Sequence, residues 1–263
     1  MAETDAPLFA SQGVTLTASG PVGRITIANP PLNVLTVAVR EALFEAACAA
    51  GHRGDLRVVV IEAAGPRAFS VGSDIREFPT TELGGVAKIR FEQYLLDRIS
   101  ALPQVVIAKI GGLTLGGGGE LMLACDLRIA STEATFGFPE IKLGALPVAG
   151  GVKRLVREIG PVHARELIYT GRFIPAERAL AIGLINEVVE PPELDRRVDA
   201  LAAEIAALPG DALELAKACV AAAQPSGDID TREAEAFGAL YGSANLAEGL
   251  AAFIEKRPPR FNR

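Results

Sequence analysis

The chain has 263 residues, 49% of them apolar, and 26 basic against 32 acidic side chains give a net charge of −6. That acidity disfavours nucleic acid as the main partner and offers no basic face to a membrane. The apolar share, with a mean hydropathy of +0.29, predicts one main α/β core plus apolar surface buried between subunits, hence an oligomer.

The N-terminus is acidic and lacks an apolar leader segment, and no run of roughly 18 apolar residues occurs, so a cytoplasmic protein is expected. Val14 to Ala18 and Gly23 to Ala28 alternate apolar and polar residues around Ser19, Gly20 and Pro21, which predicts a β-hairpin ended by Asn29-Pro30-Pro31. From Thr36 to Ala50 the positions Val39, Leu43, Ala46, Ala47 and Ala50 keep helical spacing, and Gly51 is placed to stop that helix. Leu56 to Ala63 is β-branched again, so strand, helix and strand alternate as in a layered α/β architecture. Cys48, Cys125 and Cys219 lack CxxC spacing and read as buried thiols, while His52 and His163 show no ligand spacing, which argues against a metal site.

Arg67 to Glu77 forms a glycine-containing loop that enters a helix, and Asp74 with Glu77 three residues later has the form of a capping box. Gly72 exposes the amide of Ser73, a candidate donor to an oxygen. Arg67 and Arg76 flank the loop and are candidates for a phosphate, or for a solvated surface. Phe91, Leu95, Ile99 and Leu102 form an apolar stripe closed by Pro103.

The stretch from Val105 to Asp126 is the most distinctive part of the chain. A β-branched run, Val105 to Ile110, leads into a glycine-dense turn, Gly111 to Gly119, and then into the apolar helix start Glu120 to Cys125. No Gly-Lys-Ser/Thr, no G-x-G-x-x-G and no G-x-S-x-G is present, so the loop is neither a nucleotide cradle nor a nucleophile elbow. Free amides at a helix start can instead receive a transient oxyanion, with Glu120 one turn past Gly117. The same glycines would also serve a tight crossing of helix and strand, and both readings stand. Leu127 to Ala130 and Thr135 to Phe138 read as short strands. Glu140, between Pro139 and Ile141, sits in an apolar neighbourhood that would raise its pKa toward the range of proton transfer, unless it is an exposed loop charge. From Leu194 onward the chain turns alanine-rich and helical. Lys256, Arg257, Arg260 and Arg263 either complement the end of the last helix or face a phosphate.

Together these segments resemble the enoyl-CoA hydratase/isomerase (crotonase) family over nearly the whole chain. The resemblance is carried by Asn29-Pro-Pro-Leu-Asn-Val-Leu35, Ala68-Phe-Ser-Val-Gly-Ser-Asp-Ile75, Leu115-Gly-Gly-Gly-Gly-Glu120, Phe138-Pro-Glu-Ile141, Gly150-Gly-Val-Lys-Arg-Leu155, Thr170-Gly-Arg, Gly183-Leu-Ile-Asn-Glu-Val-Val189 and Lys256-Arg-Pro. It implies an α/β spiral of ββα units over residues 1–193 and a helical trimerisation region over 194–263, assembled as a homotrimer or homohexamer. It implies an acyl-CoA thioester as substrate, coenzyme A being part of it, with no cofactor, no metal, and no nucleic-acid or membrane partner. By position, the amides of Ser73 and Gly117 match the oxyanion hole and Glu120 and Glu140 the two catalytic carboxylates. Ala68, Ser70, Asp74, Ile75, Arg76, Gly116, Pro139 and Val148 match positions that bind substrate.

The sequence departs from the family pattern at Ser73, where alanine is common, at Val148, where glycine is usual beside the water site, and at Lys109, where a small or apolar residue is common. Hydration of a trans-2-enoyl-CoA, in fatty-acid or related acyl-CoA metabolism, is the activity the resemblance implies. Isomerisation comes next, then hydrolysis or decarboxylation, and a non-catalytic CoA- or RNA-binding relative last.

Overall fold

The computed structural model describes residues 7–222 together with 244, 248, 251, 252, 255–258 and 260. Three short strands open the chain, β1 (Phe9–Ser11), β2 (Val14–Ser19) and β3 (Val22–Ile27), followed by α1 (Val37–Gly51). The hairpin of β2 and β3 falls where the alternation puts it, and Thr36 caps α1 through its side chain, which accepts from the Val39 amide. Strand β1 is too short to leave a periodic signal. It is recovered only through its antiparallel pairing with β2.

Three ββα units follow. They are β4 (Val58–Ala63), β5 (Ala68–Ser70) and α2 (Glu82–Ser100); then β6 (Val105–Ile110), β7 (Leu113–Leu115) and α3 (Gly117–Leu123); then β8 (Leu127–Ser131), β9 (Thr135–Gly137) and α4 (Gly151–Thr170). In each unit the first strand joins a seven-stranded sheet ordered β1-β2-β3-β4-β6-β8-β11, and the second joins a four-stranded sheet ordered β10-β9-β7-β5. Here β10 is Phe173–Pro175 and β11 is Glu187–Val189, joined through α5 (Ala176–Ala181). The strands from β3 to β11 in the large sheet are parallel, so the chain advances as a spiral of ββα turns.

The large sheet is covered on both faces, which is why β4 and β6 read as apolar runs broken only by Glu62 and Lys109. Val59 and Ile61 point into the main core with Leu43, Ile99 and Val106, whereas Val58, Val60, Ile107 and Ile129 meet Leu194, Val198 and Ile205 of α6 (Leu194–Ala206). Thus the first helix after residue 193 packs on the sheet of its own chain. After it comes α7 (Gly210–Ala222), whose Lys217 reaches Asp126 at 2.7 Å.

Several local readings change in three dimensions. The stretch Gly111 to Gly119 is not one turn, because Leu113–Leu115 is held as a strand between β5 and β9 and α3 already begins at Gly117. Asp74 caps the short 3-10 turn Ile75–Glu77, but Glu77 does not close a box with it; its Oε2 accepts from the Val37 amide at 2.8 Å, at the start of α1. Lys109 is structural, with Nζ 2.7 Å from Glu62 and 2.6 Å from Asp195, and so joins the sheet to α6. Cys125 is buried and its thiol is pushed up to about 12 by desolvation, whereas Cys48 and Cys219 are half-buried. Arg257 is paired with Glu248 and Glu255, and Arg263 lies outside the described residues. Among the described residues no helix is long and apolar enough to cross a membrane.

Candidate active site

The glycines of the central stretch divide their work. Gly116 precedes α3 at φ 54° and ψ −125°, a conformation open in practice to glycine alone. A methyl group on Gly118 would collide with the Ser70 carbonyl, and one on Gly119 would lie 2.8 Å from the Phe138 ring. Those two glycines serve the tight crossing. Gly117 stands apart from them, since as the first residue of α3 its amide has no acceptor within the helix.

The loop after β5 brings a second amide to the same place. Gly72 has φ +89° and packs so closely that a methyl group there would lie 2.7 Å from the Gly117 nitrogen. Ser70 Oγ accepts from the Gly72 amide at 3.1 Å, and the Gly72 carbonyl accepts from the Leu35 amide at 2.8 Å, which pins the loop from both sides. As a result the Ser73 nitrogen lies 3.7 Å from where a Gly117 Cβ would stand. The Ser73 and Gly117 amides are brought together.

One glutamate borders these amides, and the other follows Gly117 on α3 and faces the start of α4. Glu140 rides on the 3-10 turn Pro139–Leu143, and its Oε1 lies 3.1 Å from a Cβ position on Gly116. Glu120, on α3, is buried and accepts from the Gly151 amide at the start of α4 at 2.9 Å. Burial is the main force on both carboxyls and raises both pKa values. For Glu120, the amide of Gly151 favours the ionised form while the charges of Glu140 and Glu92 oppose it, and the result is about 8. Glu140 Oε2 is buried with no hydrogen-bond partner among the described residues. Glu120, held to about 8, keeps its proton at neutral pH, and the charge of Glu140 is one of the causes.

The remaining expected site residues are placed unevenly. Ala68 and Ser70 are buried in β5 and support the loop from beneath, Ala68 by accepting from Asn33 Nδ2 at 2.8 Å. Arg76 holds the Asp74 carboxyl down to about 2 by direct pairing, and both Arg76 and Ile75 face solvent. Pro139 opens the turn that carries Glu140. Val148 does keep its N–H, but that N–H donates to the Leu146 carbonyl at 3.0 Å, while its own carbonyl accepts from Gln93 Nε2 at 2.8 Å. The tight turn at Leu146–Val148 therefore consumes a donor that the sequence left free.

Sequence reasoning missed the charges behind this wall. Arg40 and Glu92 are both buried, on α1 and α2, with Nε 3.2 Å from Oε1, and Arg40 Nη2 donates to Ser73 Oγ at 2.8 Å. Arg154, also largely buried, anchors α4 to Asp97 at 2.7 Å. A signal existed, since Arg40 precedes Leu43 by three and Glu92 precedes Leu95 by three, so each charge stands on the apolar face of its helix.

A family model described as enoyl-CoA hydratase/isomerase matches residues 17–263. The chain belongs to this family. It is 36% identical over 251 residues to the short-chain-enoyl-CoA hydratase of Clostridium acetobutylicum, covering 93% of this chain and 95% of that protein. It is 37% identical over 215 residues to the crotonyl-CoA hydratase of Syntrophomonas wolfei, covering 78% and 80% of the two chains. The crystal structure of an enoyl-CoA hydratase from Bacillus anthracis superposes with a TM-score of 0.89 at 35% identity, over 95% of this chain and 99% of the other.

Proposed function

We propose that the protein is a hydro-lyase that adds water to a trans-2-enoyl-CoA, giving a 3-hydroxyacyl-CoA. The observation that carries this reading is the pair of carboxyls with raised pKa values, Glu120 buried and Glu140 half-buried, beside the neighbouring amides of Ser73 and Gly117. The amides of Ser73 and Gly117 receive the thioester oxygen as it gains charge, which stabilises the enolate. One carboxylate takes a proton from water as it attacks Cβ, and the partner carboxylic acid delivers a proton to Cα. One group must be ionised while the other is protonated, and Glu120, held to about 8, is the one that keeps its proton at neutral pH. Coenzyme A enters with the substrate, and the scheme requires no separate cofactor. The test is incubation of the purified protein with crotonyl-CoA in 18O-labelled water. The expected product carries labelled oxygen at C3, and failure to consume crotonyl-CoA would overturn the reading.

Isomerisation of a 3-enoyl-CoA is a second reading, and Val148 favours it. Its amide is spent on Leu146, and its side chain adds bulk beside the place where water must enter. Shifting a double bond needs no water, so a 3-enoyl-CoA converted without label would select this alternative.

The assembly proposed for the chain is a homotrimer, alone or as a hexamer, formed through the C-terminal third. Support comes from the apolar composition and from side chains left exposed on α4 and α7, among them Val162, Tyr169 and Val220. Light scattering at micromolar concentration is expected to give three or six times the chain mass. A monomer would contradict the proposal.

A further inference from the structure

We infer that Arg40 is a positioning residue of the oxyanion hole, gripping both sides of the Leu35–Ser73 bridge from within a buried Lys88–Glu92–Arg40 charge network. It builds on the reading that Ser73 and Gly117 hold the thioester oxygen.

Ser73 is the one non-glycine donor of the hole, and its loop meets the chain before α1 through an isolated parallel bridge between Leu35 and Ser73. Arg40 reaches both partners of that bridge. Its Nη1 donates to the Leu35 carbonyl, and its Nη2 donates to Ser73 Oγ at 2.8 Å. A guanidinium presents these donors as a rigid planar fork, so one side chain fixes the spacing of the two segments. The same Nη2 lies 3.3 Å from the Cβ position of Gly117, so the cation also touches the start of α3.

A cation there opposes the positive end of the helix dipole and must be stripped of water. Glu92 offsets that cost, with Oε1 3.2 Å from Arg40 Nε and also in contact with Lys88 Nζ, whose charge lies 4.9 Å from the Phe78 ring centre. Two cations thus flank one carboxylate, and Glu77 faces the same guanidinium from the turn after Asp74. Ser73, unusual for the family by sequence, provides the hydroxyl that Arg40 holds. An alanine would keep the amide and lose the tie.

Arg40 also bears on proton transfer. The charged groups facing Glu120 are Arg40 on α1, Glu92 on α2, Glu140 on the Pro139 turn and Arg154 on α4. Removing only the Arg40 cation favours the protonated form of Glu120 and moves the alkaline limb of the rate profile to higher pH.

The experiment compares Arg40→Met, Arg40→Met/Glu92→Gln and Ser73→Ala with wild type, using crotonyl-CoA turnover and the near-ultraviolet enolate absorbance of bound acetoacetyl-CoA. The double variant avoids an orphaned buried carboxylate, and Ser73→Ala removes only a hydroxyl, so folding does not decide the result. Arg40→Met is expected to lower kcat up to roughly 100-fold with KM little changed, as for a displaced catalytic wall. Ser73→Ala is expected to lose roughly tenfold, and little more when added to Arg40→Met. The alkaline midpoint should rise for Arg40→Met and stay near wild type when Glu92→Gln is added. If Ser73→Ala and the folded double variant keep wild-type kcat and enolate absorbance, the positioning role is wrong. If wild type gives no enolate absorbance, the oxyanion-hole reading fails and takes this inference with it. If wild type gives the absorbance and the Arg40 variants lose it, but crotonyl-CoA is not hydrated, the positioning role stands and hydration falls.

Discussion

Glu120→Gln and Glu140→Gln are each expected to lower kcat for crotonyl-CoA hydration by roughly 100- to 10,000-fold, the range typical of a lost general acid or base, with affinity for the CoA ester largely kept. Glutamine preserves size, and at position 120 its carbonyl can still accept from the Gly151 amide. What it cannot do is exchange a proton. If one variant keeps full activity, the carboxyls do not work as a pair and single-base isomerisation takes the place of hydration. The wild-type rate should also fall on the alkaline side with a midpoint near the Glu120 value of about 8, as Glu120 loses its proton.

The same substitution has a stability consequence of defined sign. In the unfolded chain a glutamate releases its proton near the ordinary value of about 4.3, whereas folded Glu120 holds it to about 8. Between these values the folded state binds the extra proton, so stability is fully present at low pH and declines as pH rises through about 8. The loss attributable to this group is roughly 2–5 kcal/mol. Glu120→Gln should therefore match wild type near pH 5 and exceed it in denaturant resistance near pH 9, while being catalytically impaired at both. Equal stability at pH 9 would contradict the buried, proton-retaining state.

Gly117→Pro is expected to cost roughly 100- to 1,000-fold in kcat, because it deletes one donor to the oxyanion. Proline is tolerated at the first position of a helix, where the N–H lacks an internal partner, so α3 should persist. A Cβ at this position meets Gly72 Cα at an ordinary 3.5 Å and Arg40 Nη2 at a tight 3.3 Å, so the arginine side chain must shift slightly to admit the ring. Unchanged kcat in a folded variant that still binds the CoA ester would remove Gly117 from the hole. Unchanged circular dichroism with lost kcat is the expected pattern.

Much of this site was legible in one dimension because its parts are local. A helix start at the end of the glycine run, the cap at Asp74 and the glutamate beside Pro139 are each set by residues within a few positions, although the sequence placed that start at Glu120 and the fold places it at Gly117. Alternation placed the β2–β3 hairpin, and helical spacing placed α1. The order of the motifs then pointed to the family.

Other features had no local signature. The strand Leu113–Leu115 exists because β5 and β9 lie on either side of it, and a three-residue segment between glycines carries no period of its own. The amide of Val148 was lost to Leu146 through a turn whose geometry depends on how Gln93 of α2 reaches its carbonyl.

The sequence by itself determined the chemical inventory: two glutamates, exposed glycine amides, and no ligand set or nucleotide loop to compete with them. Tertiary structure alone decided which of those groups face one another and what charge each carries. Glu120 is an ordinary carboxylate by sequence and becomes a proton-holding acid only because folding strips its water and sets Glu140 and Glu92 near it. Arg40 and Glu92, 52 positions apart in the chain, become a pair only because α1 and α2 meet and leave each buried charge no cheaper partner.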